Sequence, residues 1–110
     1  MEVALRKEDN TMVVSVKGRM DAVSAADFEK ILEDQLAAGE TRFILDFNDL
    51  EYISSAGLQC ILSAAKQLEP KQGQIALAAL KGMVREVFEI SGFSSIFPIY
   101  ESVDTALADR

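Results

Sequence analysis

Ser54 and Ser55 stand side by side where an apolar strand and its loop give way to a helical pattern. Two hydroxyls at a helix N-terminus offer a seat for a phosphate. The first-turn N–H groups there are unpaired and the helix dipole is positive. Ala56 and Gly57 follow, small enough to let another protein reach the hydroxyl. A plainer role also fits, in which one serine caps the helix and the other is incidental. Asp21 and Asp46 are the next candidates. Each is placed where a strand yields to a loop or helix, and ligand sites of open α/β sheets gather outside the carboxyl ends of strands. The plainer reading makes Asp21 a helix cap and Asp46 a turn former, and capping alone accounts for Asp21.

Other patterns dissolve on inspection. Ser63-Ala64-Ala65-Lys66 spells S-x-x-K, but neither S-D-N nor K-T-G accompanies it. Asp46-Phe47-Asn48 begins like a calcium loop, yet Leu50 takes the next ligand position and no glycine follows. No phosphate loop, dinucleotide fingerprint or nucleophile elbow is present.

Composition narrows the chemistry further. The chain has 110 residues, enough for one domain spanning 1–110 with a core that needs no staples. It contains no histidine, so a Ser-His-Asp triad and the commonest metal ligand are both missing. Cys60 is the only cysteine, so neither a disulfide within the chain nor a cysteine zinc site is expected. No metal and no cofactor is predicted. A net charge of −7 argues against nucleic acid and against an anionic membrane surface. The longest apolar run, Ile75 to Leu80, is far short of the ~20 residues of a membrane span, so no membrane insertion is expected. The first residues lack the apolar core of a signal peptide, and a cytoplasmic location is the expectation.

The elements that must position these residues follow from periodicity. Val3-Leu5 and Met12-Val16 read as two strands of a hairpin across Glu8-Asp9-Asn10-Thr11, with Gly18 closing the second. Asp21 to Ala38 reads as a helix, with Phe28, Ile31, Leu32 and Leu36 on one face. Arg42 to Phe47 reads as a buried strand and Asn48 to Ile53 as a loop. Ser55 to about Glu69 is the clearest helix. Its predicted buried stripe is Leu58, Ile61, Leu62, Ala65 and Leu68. Gln74 to Ala79 is a strand, Gly82 to Ser91 a helix, and Ile96 to Tyr100 an edge strand carrying Pro98. Ser102 caps a last helix. The predicted architecture is α/β, a mixed, mostly parallel sheet of about five strands with about four helices, in the order β-β-α-β-α-β-α-β-α.

Phe43-Ile44-Leu45-Asp46-Phe47, then Leu50, then Tyr52-Ile53-Ser54-Ser55-Ala56-Gly57-Leu58 resembles the signature of STAS-domain anti-sigma-factor antagonists. In that family a strand ending Leu-Asp-Leu leads to Asp-Ser-[SA]-Gly-Leu-Gly at a helix start. Gly18-Arg19-Met20-Asp21-Ala22 resembles the family's Gly-x-x-Asp-Ala element. Phe88-Glu89-Ile90-Ser91-Gly92-Phe93 with Ile96-Phe97 resembles its C-terminal helix and edge strand. The resemblance covers nearly the whole chain. It implies a non-enzymatic partner switch. Unphosphorylated, such a protein binds a GHKL-type anti-sigma serine kinase and frees a sigma factor. The kinase phosphorylates the motif serine, Ser55 here, and a PP2C-type phosphatase reverses it. Ser54 stands where the family most often has Asp, which leaves Ser54 as a second candidate hydroxyl. Gln59 stands where the family usually has Gly, and its longer side chain alters the fit to a partner.

Helical phasing puts Ala56, Cys60, Ser63 and Gln67 opposite the predicted buried stripe, with Gln59 flanking and Cys60 half-exposed. Phasing thus predicts a docking surface that includes Ala56, Gln59, Cys60 and Ser63, and with Asp21, Asp46, Ser54 and Gly57 they make the expected partner-binding set. Two other readings use the same residues. One is a STAS subunit of a lipid-transport or stress-sensing complex in which the serine is silent. The other is a small enzyme built on Asp21, Asp46 and Ser55.

Overall fold

A computed structural model describes residues 1–109. The chain forms β1 (Glu2–Glu8), β2 (Thr11–Met20), α1 (Ala22–Ala37), β3 (Arg42–Ile53), α2 (Ser55–Leu68), β4 (Gln74–Ala78), α3 (Gly82–Ile90), β5 (Ile99–Tyr100) and α4 (Val103–Ala108). Short 3-10 turns at Glu69–Lys71 and Phe93–Ser95 complete it. The element order is the one the sequence predicts, and it builds a single α/β domain.

The five strands lie in chain order, β1-β2-β3-β4-β5. β1 and β2 are antiparallel across the Asp9-Asn10 turn, and the remaining pairs are parallel. Apolar side chains from one sheet face and from α1, α2 and α3 make the main core, with Phe28, Leu45, Phe47, Ile61, Leu77 and Phe88 wholly buried. The opposite face carries a smaller core. There Val13, Ile44, Ala76 and Ala78 meet Ala106 of α4.

Three boundaries differ from the predicted ones. β3 does not stop at Phe47. The predicted loop from Asn48 to Ile53 is strand, because Leu50 and Ile53 bury against the main core. β2 runs past Gly18 to Met20 to pair with it, and register shifts near Lys17 and Arg19 absorb the mismatch. Gly18 takes φ +98° there, a conformation that L side chains rarely adopt. β5 is only Ile99–Tyr100. The residues before it turn so that Phe93 and Phe97 pack inward, and Pro98 contributes its carbonyl to Leu77 N–H.

α2 is rotated from its predicted phase. Its buried residues are Gly57, Cys60, Ile61, Ala64 and Leu68. Leu58, Leu62 and Ala65, predicted to be buried, are half-buried. The cause is α1, against which α2 packs side by side. Small residues at Ala25, Cys60 and Ala64 let the two helices approach, and Cys60 Sγ lies 3.4 Å from the Ala25 carbonyl oxygen. A periodicity reading that seats a helix on a sheet alone turns it the wrong way.

Candidate functional site

β2 and β3 run parallel, with Met20 opposite Ile53, so their carboxyl ends share one edge of the sheet. After a single intervening cap residue, α1 and α2 start at Ala22 and Ser55. The two helix N-termini therefore stand together. Ser54 N–H donates to the Met20 carbonyl at 2.8 Å, stitching one end to the other.

Ser54 is the N-cap of α2. Its backbone is extended (φ −85°, ψ 168°) and its hydroxyl accepts from Gly57 N–H at 3.2 Å. Ser54 is half-buried and Ser55 is exposed. Gly57 lies on the inner side of the same turn. A Cβ there would come within 2.7 Å of Met20 Sδ and 2.8 Å of Ile53 Cγ1. A Cβ there would force the buried Met20 and Ile53 side chains to shift, so glycine lets α2 settle closely onto the strand ends.

Asp21 caps α1 in a reciprocal box. Its Oδ1 accepts from Ser24 N–H at 2.8 Å, and Asp21 N–H donates to Ser24 Oγ at 2.9 Å. The Ser24 N–H, and then the Ser24 hydroxyl, hold the Asp21 carboxyl below the ordinary aspartate range. A depressed value means stability that is present above the unfolded pKa and lost as pH falls through the folded one. Asp21→Asn is therefore expected to melt below wild type at pH 7, with the gap closing on acidification from about pH 4. Thermal melts of both proteins across that window check it, and a gap independent of pH would refute it.

The structure sorts the predicted site residues. Asp21, Ser54 and Ser55 meet at one edge, and Ala56 joins them half-buried. Gln59 and Ser63 continue the exposed side of α2. Three others do not fit the expected surface. Cys60 is buried at 7 % exposure rather than half-exposed, because it faces α1. Burial, and next the negative charge of Glu29, push its thiol pKa up, so it is a poor nucleophile. Gly57 is buried and serves packing. Asp46 is not at a strand end. It sits inside β3, on the α4 side of the sheet, away from Ser55. There it accepts from Ser15 Oγ at 2.9 Å and from Asn48 N–H at 3.1 Å.

Two features of the edge escaped the sequence reading. Arg19 lies 4.5 Å over the Tyr52 ring, a cross-strand pair that appears only once the β2–β3 register is known. Val23, in the first turn of α1, is 81 % exposed and adds apolar surface beside the caps. Among the described residues no group of His, Cys, Asp and Glu is arranged to hold a metal ion.

Residues 2–106 match the STAS domain family. The chain belongs to it. This STAS domain is 44% identical over 108 residues to BtrV of Bordetella bronchiseptica, whose designation is that of an anti-sigma factor antagonist. The match covers 98% of this chain and 93% of BtrV. A solved Thermotoga maritima structure of the same designation superposes with a TM-score of 0.92 at 22% identity, covering 97% of this chain and 92% of that one. SpoIIAA of Bacillus, solved in its phosphorylated form, superposes with a TM-score of 0.79 at 21% identity, covering 98% of each chain. At those identities the two solved structures establish the fold. Among the described residues, no helix of this STAS domain is long and apolar enough to cross a membrane.

Proposed function

We propose that this STAS domain is an anti-sigma-factor antagonist of the partner-switching kind. Unphosphorylated, it binds a GHKL-type anti-sigma serine kinase in the cytoplasm and releases a sigma factor. Phosphorylation of Ser55 ends the binding, and a PP2C-type phosphatase restores it. The domain itself catalyses nothing in this scheme.

The observation that carries this reading is the exposed Ser55 hydroxyl at the head of α2, with Gln59 and Ser63 running on from it along one accessible side. The likeness to BtrV, and the fold shared with a SpoIIAA solved in phosphorylated form, support it. A phosphate adds about −1.5 to −2 charges and three acceptor oxygens. In a close interface those bring repulsion and desolvation, here on a chain already at −7. A penalty of ~2–4 kcal/mol weakens binding by about 30- to 1,000-fold, sufficient for a switch. The fold itself tolerates the anion, because a helix N-terminus favours negative charge.

The test is isolation of the protein from its native cells, with tandem mass spectrometry and identification of what co-purifies. A phosphoryl group on part of the population and a co-purifying anti-sigma factor are expected. An unphosphorylated protein under both growth and stress conditions, in company with transporter subunits, would overturn the reading. Ser63→Arg adds a sharper check. Ser63 is exposed on α2, so the variant should lose the partner and keep its melting temperature. Ala56 is less suitable, because it packs partly against the core. Wild-type affinity in Ser63→Arg would remove α2 from the interface.

A further inference from the structure

β1 is an outer strand of the sheet, with β2 on one side of it. Its register on β2 sets Glu8 opposite Thr11 across a two-residue turn. Residues that flank such a turn exchange both hydrogen bonds, and the pattern alternates from there. Glu2, Ala4, Arg6 and Glu8 therefore turn their amides to β2, while Val3, Leu5 and Lys7 turn theirs outward. Charged side chains blunt an outer strand when they meet like charges on a second one. In β1 the signs are arranged to match when the strand meets itself. We propose that β1 pairs antiparallel with β1 of a second copy of this chain, joining the two sheets into one. The proposal does not depend on the partner-switch reading.

The pairing centres on Ala4, which lies opposite Ala4 of the second copy. Glu2 then faces Arg6 of the second copy, and Arg6 faces its Glu2. Both side chains are exposed, and they share the sheet face of Ala4 and its neighbour Ser15. Arg6 Nε lies 3.3 Å from Glu8 Oε1 in its own strand, which holds the guanidinium on that face. On the other face Val3 packs against the main core. There it meets Leu5 of the second copy. Leu5 is 44 % exposed in the single chain, and this contact covers it. Lys7, on the same face, is engaged by Glu40 of its own chain.

Charge also selects the register. A slip of two residues keeps the faces, but in one direction it sets Glu2 against Glu8 of the second copy. In the other it shortens the overlap and leaves Arg6 with nothing opposite. Opposite charges directly across a strand pair are favourable and like charges are not. The two-fold axis stands perpendicular to the sheet. Both α2 helices then lie on one face, and the two Ser55 edges point to opposite ends, so each stays open. One strand's width buries less than a standard stable complex, so the association is weak and concentration-dependent.

Sedimentation velocity of the full chain from about 1 μM to 1 mM, at low and high salt, tests this. A dimer that grows with concentration and weakens with salt is expected. Glu2→Arg and Arg6→Glu each set like charges opposite at two symmetric places, and each should weaken the dimer about tenfold. The double variant Glu2→Arg/Arg6→Glu should restore it, and thermal melts check that all three are folded. Separately, Ala4→Cys and Arg6→Cys are treated with oxidised glutathione, which takes up the two electrons and two protons released as two thiols join. The Ala4 positions lie ~4.5 Å apart at Cα, within disulfide range, whereas the two Arg6 positions lie about 13 Å apart along the strands. Ala4→Cys should therefore cross-link into dimers at least about tenfold faster than Arg6→Cys. The native Cys60 is buried and does not compete. A monomer at every concentration would overturn the proposal. So would a dimer indifferent to both single reversals, a double variant no better than the singles, or equal cross-linking of the two cysteine variants.

Discussion

Ser55→Glu is expected to weaken binding to the co-purifying anti-sigma factor by about 30-fold or more, the lower end of a ~2–4 kcal/mol penalty, since glutamate carries one charge where phosphate carries nearly two. Ser55→Ala should bind like wild type, because it removes a hydroxyl from an exposed position and adds nothing. The pair separates charge from shape. Neither should melt much below wild type. Glutamate at the first helical position lies near the positive end of the α2 dipole, which favours it by ~0.3–1 kcal/mol. The binding defect should also shrink as salt is raised, because exposed charges are screened. Titration calorimetry at two ionic strengths measures the binding, and thermal melts of both variants measure the stability. Equal affinities for Ser55→Glu and wild type would place the interface elsewhere on the domain.

Phe88→Ala is expected to cost about 3–5 kcal/mol of stability, the range for deleting a buried aromatic ring. Phe88 is fully buried. Its ring sits 6.0 Å from that of Phe47 on β3 and 5.5 Å edge-on from that of Phe93. It is the contact that pins α3 to the middle of the sheet, and its loss leaves a cavity that three elements border. A domain of this size loses roughly 4 °C of melting temperature per kcal/mol, so a fall of about 12–20 °C is expected. Ile90, two residues along the same helix, is 87 % exposed, and Ile90→Ala should stay within ~0.5 kcal/mol of wild type. Chemical denaturation of both variants checks the contrast. Equal losses would mean that α3 is not seated as described.

Element order, the parallel arrangement implied by alternating strands and helices, and the seat of Ser54 and Ser55 at the head of α2 are all legible in the sequence. Those are local matters. They depend on apolar spacing, on caps such as Asp21 and Ser102, and on stops such as Pro70 and Gly92, each readable within a few residues. The Ile53-to-Leu58 segment and its spacing from Leu45-Asp46-Phe47 also carried the resemblance to the STAS family that the match over residues 2–106 bears out.

Which side of each element faces inward depends on its neighbours in the fold. Periodicity turns Cys60 outward and Leu58, Leu62 and Ala65 inward, yet α1 claims the Cys60–Ala64 side and leaves Leu62 and Ala65 half-buried. Asn48-Asp49 reads as part of a loop, which puts Asp46 at a strand end. Pairing with an extended β2 keeps that stretch in the sheet and turns Asp46 to the far face. Either serine can cap the helix by its local sequence, and it is the bonds of Ser54 to Gly57 and to Met20 that make it the cap. In each case the deciding partner lies far along the chain: Ala25 for Cys60, Ser15 for Asp46, Met20 for Ser54. Periodicity ranks the faces of one element by their own hydrophobicity. It holds no information on how many neighbours the element has, and that number sets which faces are covered.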